Sequence, residues 1–194
     1  TAPVATTTQW MLCGTVPVAV EASMDRIRLT LNGQQYNMQS VEAASGAKYA
    51  AGDDASTTFW NKGDKAVLEI KGAAQPECVS VEPEVLLKGV EWVVEDINAG
   101  GIIDRSRVTI RFGDDGRVAG KASCNNFMGG YSLTKKGLAL TQMATTMMAC
   151  PTALMDQERE FLVILGMVTQ FELKPDGALI LQTDDKRTIT ARRG

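Results

Sequence analysis

The sequence predicts a mainly β protein of two domains, and three observations carry that expectation. Short apolar-alternating runs bounded by turn residues recur along the whole chain, the pattern of half-buried strands. One stretch alone, opened by Pro151-Thr152, has sustained helical spacing. A short polar run containing a proline, Val79-Ser80-Val81-Glu82-Pro83-Glu84, reads as the boundary between two halves that hold two cysteines each. At 194 residues the chain has room for one large domain or two small ones.

In the first half, residues 9–20 hold Trp10, Leu12, Val16, Val18 and Val20 around Cys13 and read as a pair of short strands. Residues 26–31 alternate strictly, with Ile27, Leu29 and Leu31 on one face. Asn32-Gly33 then signals a two-residue hairpin, because a type I′ turn needs positive φ at both central positions. The return strand is expected over residues 34–41, with Tyr36 and Met38 facing in. Ser45-Gly46-Ala47-Lys48-Tyr49 and the polar, acidic stretch 50–58 read as one exposed loop on this scaffold. A strand over 57–60, a turn at Lys62-Gly63 and a strand over 66–70 follow, and the half closes at Cys78.

In the second half, Trp92-Val93-Val94 begins a strand, and residues 107–112 alternate around Val108, Ile110 and Phe112. Asp114-Asp115-Gly116 turns the chain into a strand over 117–123. Cys124-Asn125-Asn126-Phe127-Met128-Gly129-Gly130-Tyr131 reads as a loop or bulge that needs positive φ. Leu138 and Leu140 mark another short strand. The helix follows: proline suits its first turn, Thr152 can cap it, and Asp156, Glu158 and Glu160 favour its N-terminal half. Leu154, Met155, Phe161, Leu162 and Leu165 form its apolar face, read as core, and Gly166 ends it. Strands over 170–174 and 178–182, joined by Pro175-Asp176-Gly177, and a last one over 188–191 complete the chain, with no internal repeat.

Composition removes whole classes of chemistry. The chain has no histidine, which excludes Ser-His-Asp and Cys-His nucleophiles and most zinc sites. A net charge of −3 offers no basic face for nucleic acid. No apolar run reaches the roughly 18 residues that a membrane-spanning helix needs. Thr1-Ala2-Pro3-Val4-Ala5-Thr6-Thr7-Thr8 reads as a linker or processed terminus, from which any export signal has already been removed. Neither Asp114-Asp115-Gly116 nor Asp184-Asp185 has the spaced ligands of a calcium loop, so no metal and no cofactor are expected. The four cysteines lack a Cys-x-x-Cys pair and allow three pairings. One bridge per half, Cys13 with Cys78 and Cys124 with Cys150, is the simplest and implies an oxidising compartment; four buried thiols are the competing reading. Ser45-Gly46-Ala47-Lys48 matches the S-x-x-K pattern of serine β-lactamases and penicillin-binding proteins. That chemistry needs the lysine one helical turn after the serine, and Gly46 with Gly52-Asp53-Asp54 argues against a helix there. The chain is therefore not expected to be an enzyme.

Two groups of motifs carry resemblances. Ser45-Gly46-Ala47-Lys48-Tyr49, then Phe59-Trp60-Asn61-Lys62-Gly63-Asp64-Lys65-Ala66, flanked by Cys13 and Cys78, resemble the membrane-bound inhibitors of C-type lysozyme, the MliC/PliC family, over residues 9–80. The resemblance implies a small antiparallel β-barrel, a Cys13–Cys78 disulfide, and insertion of Ser45 and Lys62 into the lysozyme cleft. Tyr49, Gly46, Lys48 and Gly63 are its supporting residues, and Asp53 and Asp54 read either as charges that steer a basic partner or as a solvated loop tip. The segment 49–59 is longer than in simple members, which implies an altered separation of Ser45 from Lys62. Gly120-Lys121-Ala122-Ser123-Cys124-Asn125, then Ala144-Thr145-Thr146-Met147-Met148-Ala149-Cys150-Pro151, followed by Glu158 and Phe161-Leu162, resemble the META domain, as in the HslJ-like proteins, over residues 86–194. That resemblance implies a β-rich fold with one α-helix in a bacterial envelope protein. Together they imply a periplasmic or outer-membrane lysozyme inhibitor. C-type lysozyme is its partner, nucleic acid is not, and its tie to the membrane is a lipid anchor outside the sequence given. The competing function is an envelope protein whose two domains serve another partner without inhibiting lysozyme.

Overall fold

Alternation along the first half does what a period of two dictates: it gives one buried row per strand, and the strands curl until those rows face each other. The computed structural model describes residues 7–134 and 137–194. Its chain divides into two units between Pro83 and Glu84. The first unit comprises β1 (Thr8–Cys13), β2 (Val16–Ser23), β3 (Arg26–Leu31), β4 (Gln34–Val41), β5 (Ala47–Ala51), β6 (Thr58–Asn61), β7 (Lys65–Ile70), β8 (Ala73–Ala74) and β9 (Cys78–Val81). Every pairing is antiparallel, in the order β6-β5-β4-β3-β2-β1-β9-β7-β8, and a β6–β7 pairing closes the ring. Met11, Val18, Val20, Ile27, Leu29, Met38, Phe59 and Leu68 fill its core, with Tyr36 and Tyr49 packed against them. Asn32 and Gly33 take φ of 49° and 76° at the β3–β4 hairpin, where Leu31 pairs with Gln34.

The division between Pro83 and Glu84 falls within the stretch expected to hold the boundary, but the first part of that stretch is strand: β9 pairs with β1 from Cys13↔Cys78 to Trp10↔Val81. Without it β1 would present an open edge, and the closed barrel removes that liability. A short helix, α1 (Pro83–Leu87), follows, with proline at its first position. The single loop expected over 45–58 is also not one loop. Residues 47–51 form β5, because Tyr49 and Ala51 alternate onto the core face, and only residues 52–57 turn.

The second unit contains β10 (Glu91–Ile97), β11 (Thr109–Phe112), β12 (Arg117–Lys121), β13 (Asn126–Leu133), β14 (Leu138–Thr145), α2 (Thr152–Gly166), β15 (Val168–Leu173), β16 (Leu179–Thr183) and β17 (Thr188–Arg193). The sheet runs β14-β13-β12-β11-β10-β17-β16-β15, and a bridge between Gly137 and Gln170 links its two ends. Both units are barrel-like, and the protein is mainly β. Cys13 is bonded to Cys78, and Cys124 to Cys150.

The expected loop at 124–131 is mostly strand β13, and neither Gly129 nor Gly130 has positive φ. Their reason is close approach: a Cβ on Gly129 would meet the Thr141 carbonyl at 2.9 Å, and one on Gly130 the Thr141 hydroxyl at 3.0 Å. The helix begins as expected but is capped differently. Pro151 is the N-cap, Thr152 makes no capping bond, and no acidic residue lies in the first turn. Its buried face is Gln157, Glu158, Phe161, Ile164 and Leu165, while Met155 is exposed. Glu158 therefore does not face solvent to meet the helix dipole. It turns inward and accepts from Cys124 N–H at 3.0 Å, Asn125 N–H at 2.5 Å and the Asn125 side-chain amide at 2.8 Å.

Candidate functional site

The register of β5 against β6 decides which residues meet. Ala47 pairs with Asn61 and Ala50 with Thr58, so the residues just before β5 lie beside those just after β6. Ser45-Gly46 and Lys62-Gly63 thus come together at one end of the hairpin, and the turn 52–57 lies at the other. The longer segment between Tyr49 and Phe59 is taken up in that distant turn. Asp53 and Asp54 sit in the distant turn too, which corrects the expectation that they lie in the same loop as Ser45.

Glycine is required at both corners of the near end. Gly46 has φ of +66°, and a Cβ there would lie 2.3 Å from the Asn61 carbonyl oxygen. Gly63 has φ of +85° and opens the turn in which Lys62 N–H donates to the Lys65 carbonyl at 2.8 Å. The Asn61 side chain accepts from Gly63 N–H at 3.0 Å and fixes that turn locally.

Trp60 stands between the two corners. Its indole N–H donates to the Ser45 carbonyl at 2.7 Å, and the Lys62 ammonium lies 3.8 Å from its ring centroid. Lys48, its cross-strand neighbour, holds a second ammonium 5.3 Å from the same ring. Among the described residues neither lysine takes part in an ion pair. Ser45, Gly46, Lys62 and Gly63 are exposed. Tyr49 is not part of the surface group. It pairs with Phe59 and packs against the core, so it supports β5 from within.

Sequence reasoning placed Ser45, Gly46, Lys48, Lys62 and Gly63 here but missed Trp60 as the residue touching the others. The signal was present as an aromatic two residues before Lys62. Reading it required the Lys48↔Trp60 register, which the single-loop expectation concealed. The S-x-x-K geometry is absent, because Ser45 lies in a bend and Lys48 in a strand, with no helical turn to bring them to one face.

At the far turn, the Asp54 carboxylate accepts from Ser56 Oγ at 2.5 Å, Thr57 Oγ1 at 2.6 Å and Ser56 N–H at 2.9 Å. The Ser56 hydroxyl, then the Thr57 hydroxyl and the Ser56 amide, hold its pKa below the ordinary carboxylate value. Among the described residues no cluster of His, Cys, Asp and Glu could hold a metal ion.

Fold and site together define a protein of two barrel-like β units, the first of which presents a serine and an unpaired lysine at one end of its barrel. The chain belongs to the META-domain family, whose pattern it matches over residues 85–193. Residues 12–76 match a second family, described as membrane-bound lysozyme-inhibitor of c-type lysozyme. A relative from Yersinia enterocolitica, named membrane-bound lysozyme inhibitor of C-type lysozyme, is 41% identical over 59 residues, which is 29% of this chain. The chain spans about half the length of that relative, 48%. A protein from Burkholderia xenovorans solved by NMR is 25% identical, with a TM-score of 0.46 over 57% of this chain and 85% of its own. A second NMR structure is 28% identical, with a TM-score of 0.48 over 58% of this chain and 94% of its own.

Proposed function

We propose that the first unit is a proteinaceous inhibitor of C-type lysozyme in the bacterial envelope, acting by insertion of Ser45 and Lys62 into the active-site cleft. The observation that carries the reading is the β5–β6 register, which brings an exposed serine beside an exposed, unpaired lysine. The match of residues 12–76 to the lysozyme-inhibitor family supports it. Such lysozymes work with two carboxyl groups, one a general acid and one ionised. The Lys62 ammonium is suited to a charge-assisted hydrogen bond with the ionised group, and the Ser45 hydroxyl to a bond with the other. Lys48 adds positive charge beside them. No covalent step is needed: the inserted corner occupies the substrate's place, and this chain is a binder rather than a catalyst.

A corner fixed by Gly46, Gly63 and the barrel loses little freedom on docking, which favours affinity. The Cys13–Cys78 bridge, closing a separation of 65 residues, holds the strands that flank it. Two disulfides fit an oxidising compartment. We place the inhibitor module at residues 9–80 and the META module at 86–194.

The test is lysis of a bacterial cell-wall suspension by a C-type lysozyme, with the protein, Ser45→Ala and Lys62→Ala added in turn. Dose-dependent inhibition by the native chain, weakened in both variants, is the expected result. Absence of inhibition by folded, disulfide-bonded protein would overturn the reading.

A further inference from the structure

We propose that Trp60 is the positioning residue of this site: its indole N–H holds the Ser45 segment and its ring holds the Lys62 ammonium, so both docking groups are set by one side chain. The inference rests on the inhibitor reading for its consequence, and on geometry alone for its physical content.

Trp60 lies in β6, whose side chains alternate between the two faces of the barrel wall. Phe59 points into the core and is 1% exposed, so Trp60 lies on the outer face. Its cross-strand neighbours there are Lys48 on β5 and Val67 on β7, the latter 39% exposed. The indole is thus not a core residue, and the barrel does not need it to close.

It makes two directed contacts at the site. A buried tryptophan usually directs its N–H to a partner, and this half-buried one does so across 15 residues of sequence, to the Ser45 carbonyl. That bond ties the bend before β5 to β6. The ring face is the second contact: an ammonium at 3.8 Å is well inside the range of cation–π attraction. A lysine side chain otherwise moves through many rotamers, and holding its head over a fixed plane removes part of that freedom before any partner arrives.

Lys48 sharpens the picture. Two ammoniums share one indole, at 3.8 and 5.3 Å, and among the described residues no carboxylate pairs with either. Two like charges held near each other disfavour the free state slightly and favour an anionic partner. The indole keeps them in place without neutralising them, as a carboxylate would. A carboxyl-bearing cleft is the complementary surface.

The experiment compares Trp60→Phe and Trp60→Leu in the full chain. Phenylalanine keeps a ring for Lys62 but has no N–H for Ser45; leucine keeps neither. In the free protein, NMR is expected to show the Lys62 side-chain protons shifted upfield by the ring in the native chain and in Trp60→Phe. That shift is lost in Trp60→Leu, and the Ser45 and Gly46 amides gain mobility in both variants. In the lysis assay, Trp60→Phe is expected to weaken inhibition roughly two- to tenfold, the span of one hydrogen bond. Trp60→Leu adds a further factor of about two to five for the lost cation–π contact. In a Lys62→Ala background, Trp60→Leu should cost less than it does in the native chain. A merely structural residue would instead give equal factors in both backgrounds, and that result overturns the proposal. An unchanged Lys62 shift and unchanged Ser45 and Gly46 mobility would overturn it as well. If the native chain fails to inhibit lysozyme, the inhibitor reading falls, and the NMR arm still decides whether Trp60 sets the two segments.

Discussion

Replacing Gly46 by alanine tests the near end of the barrel at its tightest point. The residue sits at φ of +66°, where a side chain costs roughly 1–2 kcal/mol. The new Cβ would also lie 2.3 Å from the Asn61 carbonyl oxygen, a backbone atom that no rotamer change can move aside. The two segments must separate by about 1 Å to restore ordinary contact. Backbone shifts of that kind add about 1–3 kcal/mol. Gly63→Ala is the matched control: φ is +85°, but nothing lies within 4 Å of the added carbon, so only the conformational cost applies. Urea unfolding should therefore show Gly46→Ala losing about 2–5 kcal/mol and Gly63→Ala about 1–2 kcal/mol. The separation also moves Ser45 relative to Lys62, and loss of one charge-assisted bond weakens inhibition about tenfold or more. Equal destabilisation by the two variants, with inhibition intact in both, would refute the close approach of Gly46 to Asn61 as the element that sets the site.

The remaining predictions concern the scaffold. Non-reducing peptide mapping by mass spectrometry should find Cys13 linked to Cys78 and Cys124 to Cys150, and removing the first bridge, with its separation of 65, should cost about 4 kcal/mol in urea unfolding. Glu158→Ala leaves two backbone N–H groups at Cys124 and Asn125 without their acceptor and should lower the second unit's stability by about 2–4 kcal/mol in thermal unfolding. The Asp54 pKa is depressed in the folded state, so its stabilising contribution is fully present above the unfolded pKa and disappears as pH falls through the folded one. Asp54→Asn should flatten the stability profile below about pH 4 and leave inhibition unchanged, because the far turn is remote from Ser45.

Much of the fold was legible because strand alternation and turn chemistry act locally. Asn32-Gly33 gives its hairpin with no help from tertiary structure, and Pro175-Asp176-Gly177 joins β15 to β16 in the same way. What was not legible depends on partners distant in sequence. Val79 to Val81 is short and runs into the polar, proline-containing Glu82-Pro83-Glu84, and its pairing with β1 is what makes it strand. Gly129 and Gly130 look like turn residues until Thr141 is placed beside them. Glu158 sits at a position that suits a helix dipole, and only the fold reveals the amides of Cys124 and Asn125 that draw it inward. At the site, the motif residues Ser45 and Lys62 were legible as chemistry. Their juxtaposition, and the role of Trp60 between them, depend on the β5–β6 register.

The most direct test of the central claim is a calorimetric titration of the full chain into a C-type lysozyme, alone and with its cleft filled by a chitin oligosaccharide. Insertion of the Ser45–Lys62 corner predicts one-to-one binding that the oligosaccharide displaces and that Lys62→Ala weakens. Binding that is indifferent to both the oligosaccharide and Lys62→Ala would contradict it.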